Sequence, residues 1–431
     1  MKKLTFYTAL LTCLASVHVR AQFSLTGEVR PRTELYNGNN TRIANPDDRI
    51  GVATQQRTRL YFNYVDSTGL KIVFSPQVIN FWGQESQFVD LLGDGVPGGT
   101  AEATFSVFEA YAEYAASDWY SLKVGRQAIS YADQRWFGAL GWAASGRAHD
   151  AFVNKFSFGD IKLDVGVALN NTKHTNSTEE SFIRGVRLGY KSLQYAWATV
   201  PVSKSVKVQA MLTNEVLNTL QGAESGVDYE SRTTFGILPS FNAGDFAING
   251  SAYWQNGQGT FTGAYLYALD ITYKGAGVPI TLGADFVSGD DKSTNDKNER
   301  WAQPFGTNHK FYGLMDFFYV GPNEAVGVND FYAKAVIKTG SKSKLILMPH
   351  LLSTNQDIEN LDDELEGGSY GTEIDLVYDL KVGKGFNFKL GYSSFFATDL
   401  MKAYKGGPAG ADAESFSQWA WMQLTFKPKF L

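Results

Sequence analysis

Apolar and polar residues alternate almost regularly along this chain, in stretches of about ten residues between Phe23 and Pro428. In the first stretch, 23–36, the odd positions are mostly apolar and the even positions include four charged residues. Successive side chains of a β-strand point to opposite faces, so each stretch would have one apolar and one polar face. The alternation therefore predicts an all-β protein whose strands have two unlike faces.

Two architectures accommodate such strands. In a soluble sandwich the apolar faces pack inward and the charged faces meet water. In a transmembrane barrel the apolar faces meet lipid and the charged faces line a polar lumen. The strands and the links between them distinguish the two.

The alternation predicts about eighteen strands with short connecting links in many places. These strands span roughly 23–36, 54–65, 70–81, 104–116, 119–127, 148–157, 160–170, 183–201, 205–214, 230–241, 245–256, 263–275, 278–288, 326–338, 343–353, 370–382, 385–397 and 415–428.

Short and long links alternate strictly between these strands. The short links lie near 66–68, 116–118, 159, 203–204, 242–244, 275–277, 340–342 and 383–384. The longer ones are 37–53, 82–103, 128–147, 171–182, 215–229, 257–262, 289–325, 354–369 and 398–414. Short periplasmic turns and long extracellular loops give a barrel this alternation, whereas a sandwich or propeller has no reason to sort its links by parity. The sequence therefore predicts a single antiparallel transmembrane β-barrel.

Residues 309–318 also have the composition of a strand. Counting them would give an odd number of strands and place the two chain ends on opposite sides of the membrane. We therefore assign them to the long link 289–325, as part of an ordered or infolded loop.

The N-terminus has the parts of a secretory signal peptide: Lys2 and Lys3, an apolar run over 4–15, and a cleavage site before Gln22. The apolar run is too short to span a bilayer. We expect a signal peptide over 1–21 and an outer-membrane barrel domain over 22–431. Cys13 is the only cysteine, so the mature chain has no thiol for disulfides, metal sites or nucleophilic catalysis.

Composition and charge agree with a bacterial outer-membrane protein. Removing residues 1–21 takes away three basic residues and no acid, so the formal net charge changes from −5 to −8. This balance gives no support to nucleic-acid binding. The last strand is amphipathic and rich in aromatic residues, the kind of segment that outer-membrane assembly machinery recognises. We expect a monomer in the Gram-negative cell outer membrane, with lipid and that machinery as partners.

Basic residues recur at two-residue spacing on the polar faces of the first two strands. Arg30 and Arg32 share a face of one strand, and Arg57 and Arg59 share a face of the next. A charge on the lipid face costs ~2–4 kcal/mol near the midplane, so these arginines should point into the lumen. Neighbouring antiparallel strands would bring the two pairs together as a basic ladder.

Acidic residues accompany this ladder and leave two interpretations open. In one, arginine–carboxylate pairs form a structural zipper that holds the shape of the barrel. In the other, arginine forks bind the carboxylates of a passing solute and make the lumen an anion-selective conduit. Both can hold together. The acids are Glu28, Glu34, Glu109, Glu113, Glu373 and Asp375.

The link after the fifth strand is unusually dense in arginine, aspartate and tryptophan. This density indicates a loop folded into the lumen as a constriction. The dense stretch begins with Arg126 at the end of the fifth predicted strand and continues in the link with Asp133, Arg135 and Trp136, followed by Trp142, Arg147 and Asp150.

Several of these motifs resemble the alginate-export family of outer-membrane barrels. They are Arg-Pro-Arg-Thr-Glu at 30–34, Gln-Arg-Thr-Arg-Leu at 56–60, the Arg/Asp/Trp-rich run over 125–150, Ser-Gly-Asp-Asp at 288–291, His-Lys-Phe-Tyr-Gly at 309–313 and Gly-Thr-Glu-Ile-Asp at 371–375. The chain departs from the family at Ala132, where glycine is expected, and at 76–78, where an Asp-Val-Arg pattern is expected.

The resemblance implies an eighteen-stranded barrel with an electropositive, arginine-rich constriction. The residues that would line the path by this resemblance are Arg30, Arg32, Arg57, Arg59, Arg126, Arg135 and Arg147.

Two classes of function follow. The preferred one is a passive channel for anionic sugars or an acidic polysaccharide such as alginate. The alternative is a barrel-embedded enzyme, or a structural or adhesive barrel with a blocked lumen. No serine lies in a recognisable nucleophile motif, and the histidines lack metal-ligand spacing. We therefore expect no enzyme activity and no cofactor. Ca²⁺ in the outer loops at 288–291 or 357–366 is a weaker alternative, because neither has the spacing of a known calcium loop.

Overall fold

The computed structural model describes residues 22–39, 42–83, 103–170, 190–219, 228–258, 262–290, 297–318, 327–359 and 364–431. The predicted signal peptide and the first residues of the strand predicted at 183–201 lie outside these ranges.

Eighteen antiparallel strands form one sheet that closes on itself. The barrel strands are β1 (Gln22–Asn37), β2 (Gly51–Val65), β3 (Leu70–Phe81), β4 (Thr104–Ser117), β5 (Tyr120–Gln127), β6 (His149–Phe158), β7 (Ile161–Leu169), β8 (Tyr190–Pro201), β9 (Val206–Thr219), β10 (Asp228–Ala243), β11 (Phe246–Gly257), β12 (Ala264–Tyr273), β13 (Ile280–Val287), β14 (Val328–Lys338), β15 (Ser343–Ser353), β18 (Ser369–Gly383), β19 (Phe386–Ala397) and β20 (Phe416–Phe426). A small hairpin, β16 (Ile358–Glu359) and β17 (Leu365–Glu366), lies in the link before β18.

Every barrel strand pairs with its neighbours in sequence, and β1 pairs with β20 to close the barrel. Closure matters because a bilayer offers no hydrogen-bonding partner to the backbone of an open sheet edge. Beyond β20 the chain continues along β1, where Gly27 N donates to Pro428 O at 2.9 Å. The predicted fold class and strand number are confirmed.

The alternation of short and long links is also confirmed. The short links are 66–69, 118–119, 159–160, 202–205, 244–245, 274–279, 339–342 and 384–385. Both ends of the barrel domain lie at the short-link end, since Gln22 pairs with Val65 and the last strand ends at Phe426. In the two-residue link 159–160, Gly159 adopts φ +63°, a conformation that such tight hairpins require.

The polarity of the two barrel faces is inverted relative to a soluble protein. On the outside, Phe105, Phe152 and Leu282 are 68%, 54% and 62% exposed. On the inside, charged side chains such as Arg57 and Arg59 are buried. An outer apolar face and an inner polar face are what a barrel in lipid requires.

One short α-helix, α1 (Asp399–Lys405), lies in the link between β19 and β20. Within the described ranges, no helix has the length and apolar character of a membrane span.

Two of the long links fold into the lumen and pack against each other. Their aromatic residues form much of the buried core, with Trp136 and Phe137 in the first link and Trp301 and Tyr312 in the second. Residues 309–318 form no strand and contain the end of a short 3₁₀ helix, Asn308–Lys310. Their prediction as an infolded loop is confirmed.

The orientation of the barrel can be tested with single cysteines, since the predicted mature chain has none. We expect a membrane-impermeant maleimide to label D47C, in a long link, on intact cells. S341C, in the short link 339–342, should be labelled only after the outer membrane is permeabilised. The measurement is gel shift of the labelled protein, and the opposite pattern would show that short links face outward.

Candidate functional site

The arginine ladder forms where β1 and β2 pair. Arg30 lies directly opposite Arg57, and Glu28 lies opposite Arg59. The four arginines of the ladder are 4–7% exposed and point to the inside of the barrel. They are Arg30, Arg32, Arg57 and Arg59. The structure thus brings together the first two arginine pairs as the sequence predicts.

Two of these four guanidinium groups have carboxylate partners. Arg57 Nε donates to Glu28 Oε1 at 2.8 Å, and Arg32 Nε donates to Glu34 Oε1 at 2.6 Å. These are the pairs of the predicted structural zipper. Glu28 also lies 3.4 Å from the ammonium of Lys427.

The remaining donors of the ladder bind backbone carbonyls of an infolded loop. Arg30 Nη1 donates to Gly141 O at 2.5 Å, and its Nη2 donates to Trp142 O at 3.0 Å. Arg32 Nη1 donates to the same Trp142 carbonyl at 2.7 Å. Its guanidinium carbon also lies 3.6 Å from the centroid of the Trp142 ring. The loop therefore covers the two arginines that β1 contributes to the ladder.

The second strand of the ladder holds the next residues of the same loop. Arg57 Nη1 donates to Ala144 O at 3.2 Å, and Arg59 Nη2 donates to Ser145 O at 3.2 Å. Arg59 Nε also donates to Gln77 Oε1 at 2.9 Å. A carbonyl or amide oxygen satisfies a hydrogen bond without supplying a full negative charge. The charge of Arg59 therefore has no carboxylate partner among the described residues, whereas that of Arg57 is paired with Glu28.

The two infolded links, residues 128–148 and 297–318, form one two-loop layer across the lumen. Gly138 N donates to Phe305 O at 2.8 Å, and Thr307 N donates to Gln134 O at 2.9 Å. Trp142 stacks on the His309 ring with the centroids 4.2 Å apart. The two loops therefore behave as one packed unit.

Arg135 lies inside this layer and does not line an open path. Its side chain is 3% exposed, and Nη2 donates to both carboxylate oxygens of Asp285 at 2.7 and 2.8 Å. Nη1 donates to Tyr312 OH at 3.1 Å. Asp133 lies 3.4 Å from Arg135 Nε. This arginine ties the first loop to β13 and to the second loop.

Asp133 and Arg147 also join parts of the layer. Asp133 Oδ2 accepts from Ser251 Oγ at 2.7 Å, which anchors the first loop to β11. Arg147 Nη1 donates to the carbonyl of Gly306 in the second loop. Burial lowers the pKa of Arg147 to about 10, so it keeps its charge at neutral pH.

Carboxylates hold the second loop on another part of the wall. Glu373 Oε1 accepts from Met315 N at 2.7 Å, and Asp375 Oδ2 accepts from Leu314 N at 3.2 Å. Both carboxylates are nearly fully buried. The wall thus holds one loop through carbonyls bound to arginines and the other through N–H groups bound to acids.

Two residues predicted to line the path lie elsewhere. Arg126 and Asp150 form a 3.3 Å ion pair and are opposite each other in the β5–β6 register. Asp150 shares its strand face with Phe152, which is 54% exposed on the outside of the barrel. The lumen prediction for this pair is wrong: Arg126 lies in β5, within the predicted strand 119–127, and its parity there points outward.

Several backbone torsions in the two-loop layer are unusual. Every described non-glycine residue with positive φ belongs to these two loops. They are Ala132 (+45°), Gln134 (+71°), Leu140 (+48°), Tyr312 (+62°) and Asp316 (+58°). Ala132 is the position where the family resemblance led us to expect glycine, and its torsion explains that preference.

Some residues of the site were not predicted. Asp285 and Gln77 make the main side-chain contacts of Arg135 and Arg59. Both occupy positions of their strands whose side chains alternate toward the lumen, and that alternation could have identified them from the sequence. In the part of the chain that the structure describes, no three His, Asp or Glu residues are grouped to hold a metal ion.

Solved structures share this fold across nearly the whole chain. OccK8 (OprE) of Pseudomonas aeruginosa aligns with a TM-score of 0.60 and 9% identity, covering 95% of this chain and 99% of that one. OccAB2 of Acinetobacter baumannii gives 0.59 and 13%, covering 95% and 98%. The outer membrane protein OpdK of Pseudomonas aeruginosa gives 0.57 and 11%, covering 94% and 99%. At these identities the likeness establishes the fold.

Comparison of the sequence with known families assigns the chain to one of them. No curated protein sequence matches the chain significantly. The alginate export family matches residues 22–410, which is nearly the whole barrel domain. This match confirms the resemblance carried by the arginine-rich motifs. The chain is an outer-membrane β-barrel that belongs to the alginate export family.

Proposed function

We propose that this outer-membrane barrel is a passive channel for anionic solutes, either sugar acids or an acidic polysaccharide such as alginate. One observation carries the proposal. Four buried guanidinium groups lie together on β1 and β2, and among the described residues only Glu28 and Glu34 form ion pairs with them. The ladder therefore has more positive than negative charge in a place with little water.

The sign of this charge sets the preference of the channel. Charged side chains that line a pore favour permeant ions of opposite sign, and low-dielectric walls strengthen the potential. Arginine suits successive carboxylates because its planar fork binds a carboxylate through two parallel hydrogen bonds.

The loop carbonyls over the ladder occupy donor positions that solute carboxylates would use. Arg30 makes hydrogen bonds to the carbonyls of Gly141, Trp142 and Ala143. A carboxylate forms stronger hydrogen bonds to guanidinium than a neutral carbonyl does. Transport then requires residues 141–145 to move from the ladder, and an arriving anion favours that movement.

A barrel with a blocked lumen is the alternative, and one observation favours it. Trp136, Phe137, Trp301 and Phe305 pack closely where the two loops meet. A structural or adhesive barrel, or a barrel-embedded enzyme, would keep this layer closed. Conductance of the purified protein in planar bilayers separates the two: steady anion-selective current supports the channel, and absence of current supports the alternative.

Arg30→Gln provides a sharp test of selectivity. Arg30 has no carboxylate partner among the described residues, so the substitution removes a charge without leaving a buried acid unpaired. We expect the anion-over-cation permeability ratio, from reversal potentials in a salt gradient, to fall by roughly twofold or more. Arg30→Lys should keep most of the preference.

Arg126→Gln is the matched control, because Arg126 lies on the outer face of the barrel. It should leave the permeability ratio unchanged. If R30Q also leaves the ratio unchanged while the barrel keeps its heat-modifiable mobility on gels, the ladder does not set selectivity.

Gly306→Ala tests whether the two-loop layer limits the current. A Cβ at position 306 would overlap the Arg135 carbonyl, so the two loops would have to separate there. We expect higher single-channel conductance and faster proteolysis within 128–148, with barrel assembly unchanged. Gly250→Ala, on β11, is the control, because a Cβ at position 250 would come no closer than 3.4 Å to a neighbouring side chain, that of Pro239. Equal conductance in both variants would exclude the layer as the constriction.

A further inference from the structure

A second polar site lies inside the barrel, away from the ladder and toward the short-link end. It is a pocket of about 340 Å³ formed on β5–β8 and by the first infolded loop. This volume is at the lower end of the range for small-ligand sites, ~300–1,000 Å³. Its lining residues are Ser121, Tyr131, Lys155, Phe156, Ser157, Lys162, Asp164, Trp197 and Thr199.

The pocket has ammonium groups for an anion. Lys155 Nζ donates to Glu113 Oε1 at 2.7 Å, and its side chain is still 38% exposed. Lys162 is exposed, and over the described chain no acid lies within ion-pair distance of it. Lys123, on the same inward face of β5 as Ser121, lies 3.9 Å above the Tyr111 ring. At least one ammonium is therefore available to a ligand.

The pocket also has groups suited to a sugar ring. Tyr131 stacks on Trp197 with centroids 4.6 Å apart and planes 10° apart. Tyr131 OH donates to Asp164 Oδ2 at 2.6 Å, which fixes the orientation of its ring. Trp197 covers one face of the Tyr131 ring, and the part of the ring that lines the pocket can make apolar contact with the C–H groups of a pyranose. The hydroxyl groups of Ser121, Ser157 and Thr199 provide donors and acceptors for sugar hydroxyls.

We propose that this pocket binds one uronate residue of an acidic saccharide. The carboxylate would bind Lys155 and Lys162, the ring would pack on Tyr131, and Asp164 with the three hydroxyls would bind the sugar hydroxyls. The proposal rests on the proposed function in taking the same class of anionic sugar, and it adds a second site, separate from the ladder, that binds one ring of it. A neutral sugar lacks the charge, and a simple carboxylate lacks the ring.

The position of the pocket connects it to the ladder. Tyr131 belongs to the loop whose residues 141–145 cover the arginines. A saccharide that enters from the short-link end thus contacts this loop before it reaches the ladder. The pocket would be an entry site on that side, and the ladder a second cationic site of the same lumen.

Calorimetry on the purified full-length barrel in detergent tests this site without requiring current. The probe is trigalacturonate, compared with maltotriose, which has rings without charge, and tricarballylate, which has carboxylates without rings. We expect K162Q and K155Q each to raise the Kd for trigalacturonate by about tenfold, since hydrogen bonds to charged groups are lost. K338Q, an exposed lysine on β14, is the matched control and should leave the Kd unchanged.

Three results would overturn the proposal: a Kd within twofold of wild type in both pocket variants, equal binding of tricarballylate, or equal binding of maltotriose. Retained heat-modifiable mobility of each variant shows that the barrel has assembled. R30Q distinguishes the two proposals: it should change selectivity in bilayers, whereas K162Q should weaken trigalacturonate binding as much in the R30Q background as in the wild type. A non-conducting wild type with lysine-dependent binding would reject the channel and keep the saccharide site.

Discussion

One constraint determines the rest of this structure: in a bilayer, every backbone N–H and C=O group needs a hydrogen-bonding partner within the protein. The pairing of β1 with β20 meets that need, because it leaves the sheet without an open edge. Once the sheet is closed, strand alternation places one set of side chains in lipid and the other in an enclosed interior. That interior is where Arg30, Arg32, Arg57 and Arg59 can be charged.

The interior then has to satisfy many hydrogen-bond donors that face little water. Carboxylates satisfy some of them, as in the Arg57–Glu28 pair. Loop carbonyls over residues 141–145 satisfy most of the others. The two kinds of partner have different consequences, because a carboxylate cancels the charge and a carbonyl leaves it. The carboxylate pairs of the zipper are thus present in the same ladder as guanidinium groups that bind only uncharged oxygens among the described residues.

Much of the fold and part of the site could be predicted because they rest on parity. Side-chain alternation gives the strands, link length gives the closed even-numbered barrel, and the same count places residues 309–318 in a loop. Parity also places Arg57 and Arg59 inside. At Arg126 the family resemblance implied a lumen position, whereas its parity in the strand, which ends at Gln127 as predicted, points it outward. The carbonyl partners could not be predicted, since every residue has a carbonyl and the sequence does not mark which ones turn inward. The burial of Arg135 against Asp285 joins a loop to a strand distant in sequence, and only the packed loops reveal it.

The left-handed torsions of the two infolded loops have an energetic consequence. For an L-residue such a conformation costs of order 1 kcal/mol, and less for aspartate than for alanine or leucine. The strands of the barrel have no such residues in the described chain, so the stored strain lies in the loops alone. When the loops leave their packed arrangement, this strain is released and offsets part of the hydrogen bonds that are lost. The described strands of the barrel wall hold no such residues, so strain of this kind would be released by rearrangement of the loops and not of the wall.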